Sequence, residues 1–204
     1  MMTHKRKQAV PDPTKDRIRK FGESKMFVGR FTYGDNKIVV RQWGEGASAT
    51  IGSFCSIADG VVFMLGGNHR VDWITTFPFG HIFRTKLGKE SVSGHPTTRG
   101  DIVVGHDVWI GENSVVMSGV QIGNGAVVAA ESVVTNDIAP YEIWGGNPAR
   151  KIKDRFDPEI VDALLQLSWW ELELDTIRKI SPKLLTAPTL EGIAEIAQMI
   201  KAAS

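Results

Sequence analysis

Val104-Gly105-His106-Asp107-Val108-Trp109-Ile110-Gly111-Glu112-Asn113-Ser114-Val115-Val116 opens a run in which an aliphatic residue returns every six positions. The series is Val104, Ile110, Val116, Ile122, Val128 and Val134. Glycine follows three of them directly, at Gly105, Gly111 and Gly123. Three residues after each aliphatic come Asp107, Asn113, Gly119, Gly125, Glu131 and Asp137. All but Glu131 are Gly, Asn or Asp, the types that best tolerate a left-handed backbone. Four residues after each come Val108, Ser114, Val120, Ala126, Ser132 and Ile138, all small or β-branched. An earlier block obeys the same rule: Ile51-Gly52, then Ile57, then Phe63, with Cys55 and Val61 in the second inward position. A period of six fits neither an α-helix nor a plain two-residue alternation. It fits a short strand, a sharp turn and another short strand. Three such units close one turn of a triangular prism, aliphatic residues inside and turn residues at the corners. The expected fold is therefore all-β, a left-handed parallel β-helix of hexapeptide repeats, each coil burying its face against its neighbours. A β-sandwich is the alternative, but sandwich turns vary in length and these do not.

Outward from this block, residues 66–100 break the repeat with a polar and aromatic stretch that begins Gly66-Gly67-Asn68-His69-Arg70-Val71-Asp72-Trp73. A long excursion from a rigid coil usually carries function. After Pro148 the pattern changes again. Asp157-Pro158-Glu159 reads as a helix start, with Asp157 as N-cap and Pro158 at the first position. Ile160, Ala163, Leu164 and Leu167 would form its apolar face. A second helix is expected from about residue 189 to 202, and the helices would cap the open end of the prism, whose strand edges are otherwise unpaired. The expected division is a polar N-terminal arm over 1–24, the coil domain over 25–150 with its excursion at 66–100, and a helical cap over 151–204. The chain has 204 residues, 24 basic and 23 acidic, for a net charge of +1. That balance offers no electrostatic case for nucleic acid or an anionic membrane. The N-terminus has no apolar signal region, and no stretch reaches the ~18 apolar residues of a membrane span. The single cysteine, Cys55, excludes an intrachain disulfide and fits a reducing, cytoplasmic setting.

Several segments, in order, resemble the xenobiotic acetyltransferases, hexapeptide-repeat enzymes that include type B chloramphenicol and streptogramin acetyltransferases. They are Val28-Gly29-Arg30-Phe31-Thr32-Tyr33, Ile51-Gly52-Ser53-Phe54-Cys55-Ser56-Ile57, Asn68-His69-Arg70-Val71-Asp72-Trp73, Thr76-Phe77-Pro78-Phe79, Asp107-Val108-Trp109-Ile110-Gly111, Gly145-Gly146-Asn147-Pro148-Ala149 and Trp169-Trp170. The resemblance covers about residues 25–180. The repeat and the Gly-Gly-Asn-Pro-Ala segment are common to many hexapeptide acyltransferases, whereas the His-Arg-Val-Asp-Trp loop and the paired tryptophans point more narrowly. The stretch between Tyr33 and Ile51 is shorter than in typical chloramphenicol enzymes. The resemblance implies acetyl transfer from acetyl-CoA to a hydroxyl of a small molecule such as an antibiotic. It also implies a homotrimer with sites between subunits.

Removing a hydroxyl proton as an ester bond forms suits histidine, whose ordinary pKa is about 6.5. Of five histidines, His4 lies in the arm, His106 at a repeat corner where a turn residue is solvated, and His81 and His95 within the excursion. His69 stands in the matched loop and is the expected general base. It would take the acceptor proton and return it to the CoA thiolate, with its other ring nitrogen donating to a backbone carbonyl or a carboxylate. The oxyanion would meet a backbone N–H of a neighbouring coil. By resemblance, Trp109, Gly119, Ala129 and Ala130 line the acetyl-CoA groove, with Asn147 and Pro148 further along. Arg150, Lys151 and Lys153 are candidates for the CoA phosphates, or simply a solvated face. Tyr33, Asp72, Trp73 and Phe77 are candidates for the acceptor pocket. The alternative for Trp73, Phe77 and Phe79 is packing of the loop. Cys55, at an inward position, reads as a small buried residue rather than an acyl carrier. Trp169 and Trp170 read as packing in the helical cap. No metal is expected. A γ-type carbonic anhydrase shares this fold, but it needs two histidines close together, and His69, His81, His95 and His106 are spaced by 12, 14 and 11 residues. A sugar or nucleotide-sugar acetyltransferase of surface-polysaccharide synthesis is the other open reading.

Overall fold

The computed structural model describes residues 12–90 and 93–203. The chain forms β1 (Arg17–Phe21), β2 (Ser24–Val28), β3 (Val39–Arg41), β4 (Ala49–Ile51), β5 (Ser56–Ile57) and β6 (Val62–Met64). One short helical turn follows in the excursion, α1 (Arg84–Leu87). Then come β7 (Ile102–Val104), β8 (Trp109–Ile110), β9 (Val115–Met117), β10 (Gln121–Ile122), β11 (Val127–Val128) and β12 (Val133–Val134). The hairpin of β13 (Glu142–Gly146) and β14 (Ala149–Asp154) precedes three helices: α2 (Pro158–Leu167), α3 (Leu174–Leu184) and α4 (Leu190–Ala203).

The strands fall into three sheets, ordered β1-β2-β4-β7-β10, β14-β13-β11-β8-β5 and β12-β9-β6-β3. From β4 to β12 the chain visits the three sheets in turn, and all the pairings among these strands are parallel. Paired residues in the last two coils lie 18 apart, as Val104 with Ile122 and Ile110 with Val128, so a coil is three hexapeptides. Across the excursion Ile51 pairs with Val104, 53 apart, so 35 residues are inserted between the third and first sheets. A smaller insertion leaves at the equivalent connection one coil earlier. Val28 pairs with Ile51, 23 apart, five more than a coil.

The repeat explains the core. Val104, Ile110, Val116, Ile122, Val128 and Val134 are at most 2% exposed, and the second inward set, Val108 to Ile138, is equally closed. Each such aliphatic contributes about 1.5–3 kcal/mol by burial. Of the six corner positions, Asp107, Asn113, Gly119, Gly125 and Glu131 take left-handed φ values. Glu131 does so despite its side chain, held by the coil register on either side. Asp137 does not, and its carboxylate accepts the Gln121 N–H instead.

Two expected boundaries shift. Residues 1–11 of the expected arm lie outside the described residues, but 17–24 are not an arm. β1 pairs antiparallel with β2, because Arg17 and Arg19 both reach Asp35, the first through its carboxylate and the second through its carbonyl. The helical cap begins at Pro158 rather than at 151, since β14 continues the hairpin to Asp154. Asp157 occupies the N-cap position without a side-chain bond. The helix α3 lies between the two expected helices, and α2 and α3 both pack on α4. Trp169 and Trp170 sit on a 3-10 turn, not in a helix. Trp170 is 2% exposed and stacks flat on His106 at 5.5 Å, while Trp169 packs on Phe54 at 4.8 Å. His106 is thus not a solvated corner. Its Nδ1 accepts the Ser53 N–H, and burial lowers its pKa.

Candidate active site

The neck of the excursion is fastened to the coil on both strands. Asn68 and Thr97 exchange backbone hydrogen bonds, and the Asn68 amide donates to the Ser118 hydroxyl at 3.3 Å. Thr98 donates through its hydroxyl to the Leu65 carbonyl, and the Gly67 N–H donates to Glu45 of the smaller insertion. His69 therefore begins one residue beyond an anchored position. Its Nδ1 lies 2.7 Å from the Thr76 carbonyl oxygen. A carbonyl can only accept, so Nδ1 carries a proton, and in the neutral ring it is Nε2 that has the lone pair. The orienting group is a backbone carbonyl of the same loop, not Asp72. Asp72 instead forms a forked pair with Arg70, which holds its carboxyl below the usual range and lies over the Trp73 ring at 5.0 Å.

Trp73 and Phe77 share a small cleft with Phe79, His81 and His95. From sequence, His81 and His95 lie within the excursion and either could be structural. In space the His69 and His95 rings meet edge-on at 4.8 Å, and His81 lies 5.5 Å from His95. Spacing along the chain conceals this, because the loop folds back on itself; the available sign was that all three fall in one excursion. Among the described residues no group of His, Cys, Asp or Glu is arranged to hold a metal ion.

The other candidates lie elsewhere. Tyr33, Ser56, Trp109, Val127 and Ile143 form one outward column across the second sheet. Tyr33 is 65% and Trp109 56% exposed. Beside this column runs a groove of ≈830 Å³ lined by Trp109, Ala129, Ala130, Ile143, Asp107 and Arg155. A second trough, ≈580 Å³ and reaching Tyr33, adjoins it at Trp109. Gly119 is not part of this groove. It lies at the connection between the third and first sheets, where its N–H bonds Gly100 at the base of the excursion. Asn147 and Pro148 form the β13–β14 turn. Arg150 bonds the Ala149 carbonyl, and Lys151 is held by Glu142 and Asp154, which raise its pKa; Lys153 is exposed. Arg155, which the sequence reading missed, pairs with Asp107 at 3.9 Å and packs on Tyr141 and Phe156. Burial raises the Asp107 pKa, and Arg155 partly offsets this. Cys55 is fully buried, and burial pushes its thiol up to about 11. It is a closed thiol, not a nucleophile.

Comparison with known proteins bears on this arrangement. Residues 101–136 match the bacterial transferase hexapeptide (six repeats) model. The chain is 41% identical over 148 residues to a chloramphenicol acetyltransferase of Escherichia coli, covering 72% of this chain and 68% of that protein. The chain belongs to the xenobiotic acetyltransferases. A second relative of that family, the virginiamycin A acetyltransferase of Staphylococcus aureus, is 40% identical over 168 residues, 77% of this chain and 75% of that protein. Among solved structures, the polySia-specific acetyltransferase NeuO aligns with a TM-score of 0.50 at 28% identity over 65% of this chain and 53% of that one. As a xenobiotic acetyltransferase, the protein is an acetyl-transferring enzyme, and its mostly parallel sheets with C-terminal helices are the setting in which His69 and the Trp109 groove are read. The excursion leaves the connection between the third and first sheets, and the groove lies on the second.

Proposed function

We propose that the protein transfers acetyl from acetyl-CoA directly to a hydroxyl of a small, partly apolar acceptor of the antibiotic type, with His69 as general base. The observation that carries this reading is the His69–Thr76 hydrogen bond, which engages Nδ1 and leaves Nε2 as the nitrogen not bonded to that carbonyl, on an anchored loop. The acceptor oxygen attacks the thioester carbonyl as Nε2 takes its proton. The C–S bond then breaks, and the imidazolium returns the proton to the thiolate. Acetyl-CoA would lie in the ≈830 Å³ groove, whose small floor residues Ala129 and Ala130 and apolar walls Trp109 and Ile143 suit a narrow pantetheine chain. A cytoplasmic setting goes with a chain whose lone cysteine has no partner in the same chain for a disulfide.

Because the excursion that carries the base leaves the connection between the third and first sheets and none of its residues lines the groove on the second, the reading calls for a second copy of the chain, and a homotrimer of left-handed β-helices is the arrangement we infer. Two surfaces support it. Val39, Val62, Val115 and Val133 stand in register on the outer face of the third sheet. The excursion exposes Val71, Ile74 and Phe83 at 86%, 108% and 66%. A second copy packed on these surfaces would cover their apolar side chains. Tyr33 and Trp109 of one subunit would then meet His69 of another.

Trp73, Phe77 and Phe79 near the base favour an apolar or aromatic acceptor over a nucleotide-sugar, whose charges would need matching partners. The test compares kcat/KM for chloramphenicol, a streptogramin A compound and an amino-sugar nucleotide, reading thiol released from acetyl-CoA. Preference for an antibiotic is expected. Preference for the nucleotide-sugar would replace the acceptor and leave acetyl transfer in place.

A further inference from the structure

The smaller insertion, residues 42–48, grips the neck of the larger one. Arg41 and Met64 pair in register at the ends of β3 and β6, so both insertions leave the third sheet from neighbouring strands, and the Leu65 N–H donates to the Arg41 carbonyl at 2.8 Å. Glu45 then engages backbone with both carboxylate oxygens. Oε1 accepts the Gly67 N–H at 2.5 Å, and Oε2 accepts the Trp43 N–H at 2.9 Å. Hydrogen bonds from N–H to an ionised carboxylate are among the strong ones. The Trp43 ring lies on Gly67, where a Cβ would stand 2.5 Å from two of its carbons, and a Cβ on Gly66 would stand 2.5 Å from Glu45 Oε1. Gly67 also takes a φ of +79°, a conformation open to glycine. The insertion itself is braced. The Gly44 N–H donates to the Gln42 side-chain oxygen at 2.9 Å, and the Ser48 N–H donates to Asp101 at 2.7 Å, where the excursion rejoins the coil. His69 lies two residues beyond Gly67.

We propose that Glu45 is a positioning residue for acetyl transfer. By holding the Gly67 N–H it sets the turn from which the chain runs through Asn68 to His69, and hence where the imidazole stands relative to the thioester. Trp43 closes that turn from outside. The Asn68–Thr97 exchange joins the two strands of the neck to each other, whereas Glu45 ties the entering strand to the insertion of the neighbouring coil. Both Glu45 oxygens face backbone N–H groups, so its effect passes through the loop and not through the transferred proton. A rigid mount matters because a displacement of about 1 Å at a catalytic group can cost on the order of 10²-fold in rate. The inference rests on the reading of His69 as the base.

The experiment measures thiol release from acetyl-CoA with chloramphenicol as acceptor. Glu45→Ala should lower kcat by about 10- to 100-fold and leave KM for acetyl-CoA within about twofold of wild type, the split expected when a catalytic group moves and the acetyl-CoA groove does not. Glu45→Gln, which keeps an oxygen for the Gly67 N–H, should recover most of the loss. In the double variant, Glu45→Ala with His69→Ala, the two losses should not multiply, because Glu45 acts only through the imidazole. Multiplied losses, or a wild-type kcat for Glu45→Ala, would overturn the proposal. Trp43→Ala, which leaves the coil core intact, should show the same split and serves if Glu45→Ala does not fold. Histidine-¹⁵N spectra without acceptor give a readout independent of turnover. The signal pair missing in His69→Ala should shift in Glu45→Ala and return in Glu45→Gln. Unmoved signals would sink the clamp. If they shift while His69→Ala keeps wild-type turnover, the clamp on His69 stands and its reading as the base falls.

Discussion

In the proposed mechanism the hydrogen bond from His69 Nδ1 to the Thr76 carbonyl leaves Nε2 as the nitrogen that would act. His69→Ala should lower kcat by about 10²–10⁴-fold, the range for losing a general base, while acetyl-CoA affinity measured by calorimetry stays near wild type. Equal turnover by the folded variant would remove His69 from the chemistry. Cys55→Ala should stay within about twofold of wild-type kcat, and native protein should resist iodoacetamide at pH 7.5, because a thiol pushed up to about 11 is almost wholly protonated there. His106 gives a pH signature of stability rather than rate. Its folded pKa is lowered, chiefly by burial. The stability it confers is complete above the ordinary histidine value of about 6.5 and is lost as pH falls through that value towards the lower folded one. Between pH 7.5 and 5.5 the melting temperature of wild-type protein should therefore fall more than that of His106→Gln. An equal fall in both would refute the assignment.

Strands and turns account for how much could be read from the residues alone. The six-residue series was legible because every coil demands the same thing at the same place: an aliphatic inward, and at the corner a residue that can turn left-handed. The excursion was legible as an interruption of that series. Its interior was not, since nothing periodic brings His81 and His95 to His69, and the carbonyl that orients His69 belongs to the backbone and has no residue signature. The β1–β2 hairpin hid behind a basic stretch whose charges are met by Asp35, a partner 18 residues from Arg17. At the corners, Gly34 combines a φ of +81° with a position where a Cβ would stand 1.8 Å from the Ile57 carbonyl oxygen. Gly34→Ala should cost at least about 2 kcal/mol, from the left-handed backbone and the displaced coil together. Urea unfolding checks this, and an unchanged midpoint would contradict the coil-to-coil packing described at that corner.

At the scale of the whole molecule, the decisive fact is separation. His69 hangs from the connection between the third and first sheets, while Trp109, Ala129 and Ala130 line a groove on the second. On the proposed reading a complete site takes two chains, and closed threefold symmetry would supply three equivalent ones. Sedimentation should show a trimer at assay concentrations. The most direct measurement is acetyl transfer by hybrids. Subunits carrying His69→Ala are co-expressed in equal amounts with subunits carrying Ala130→Trp, which fills the groove, and the mixed trimers are purified through two different tags. Each parent alone should be inactive. In every mixed trimer one of the three sites is intact, the one where an Ala130→Trp subunit lends its His69 to the groove of a His69→Ala neighbour, so about one third of wild-type activity should return, as symmetric assembly with one base and one groove from different chains requires. Hybrids no more active than the two parents would contradict the shared site.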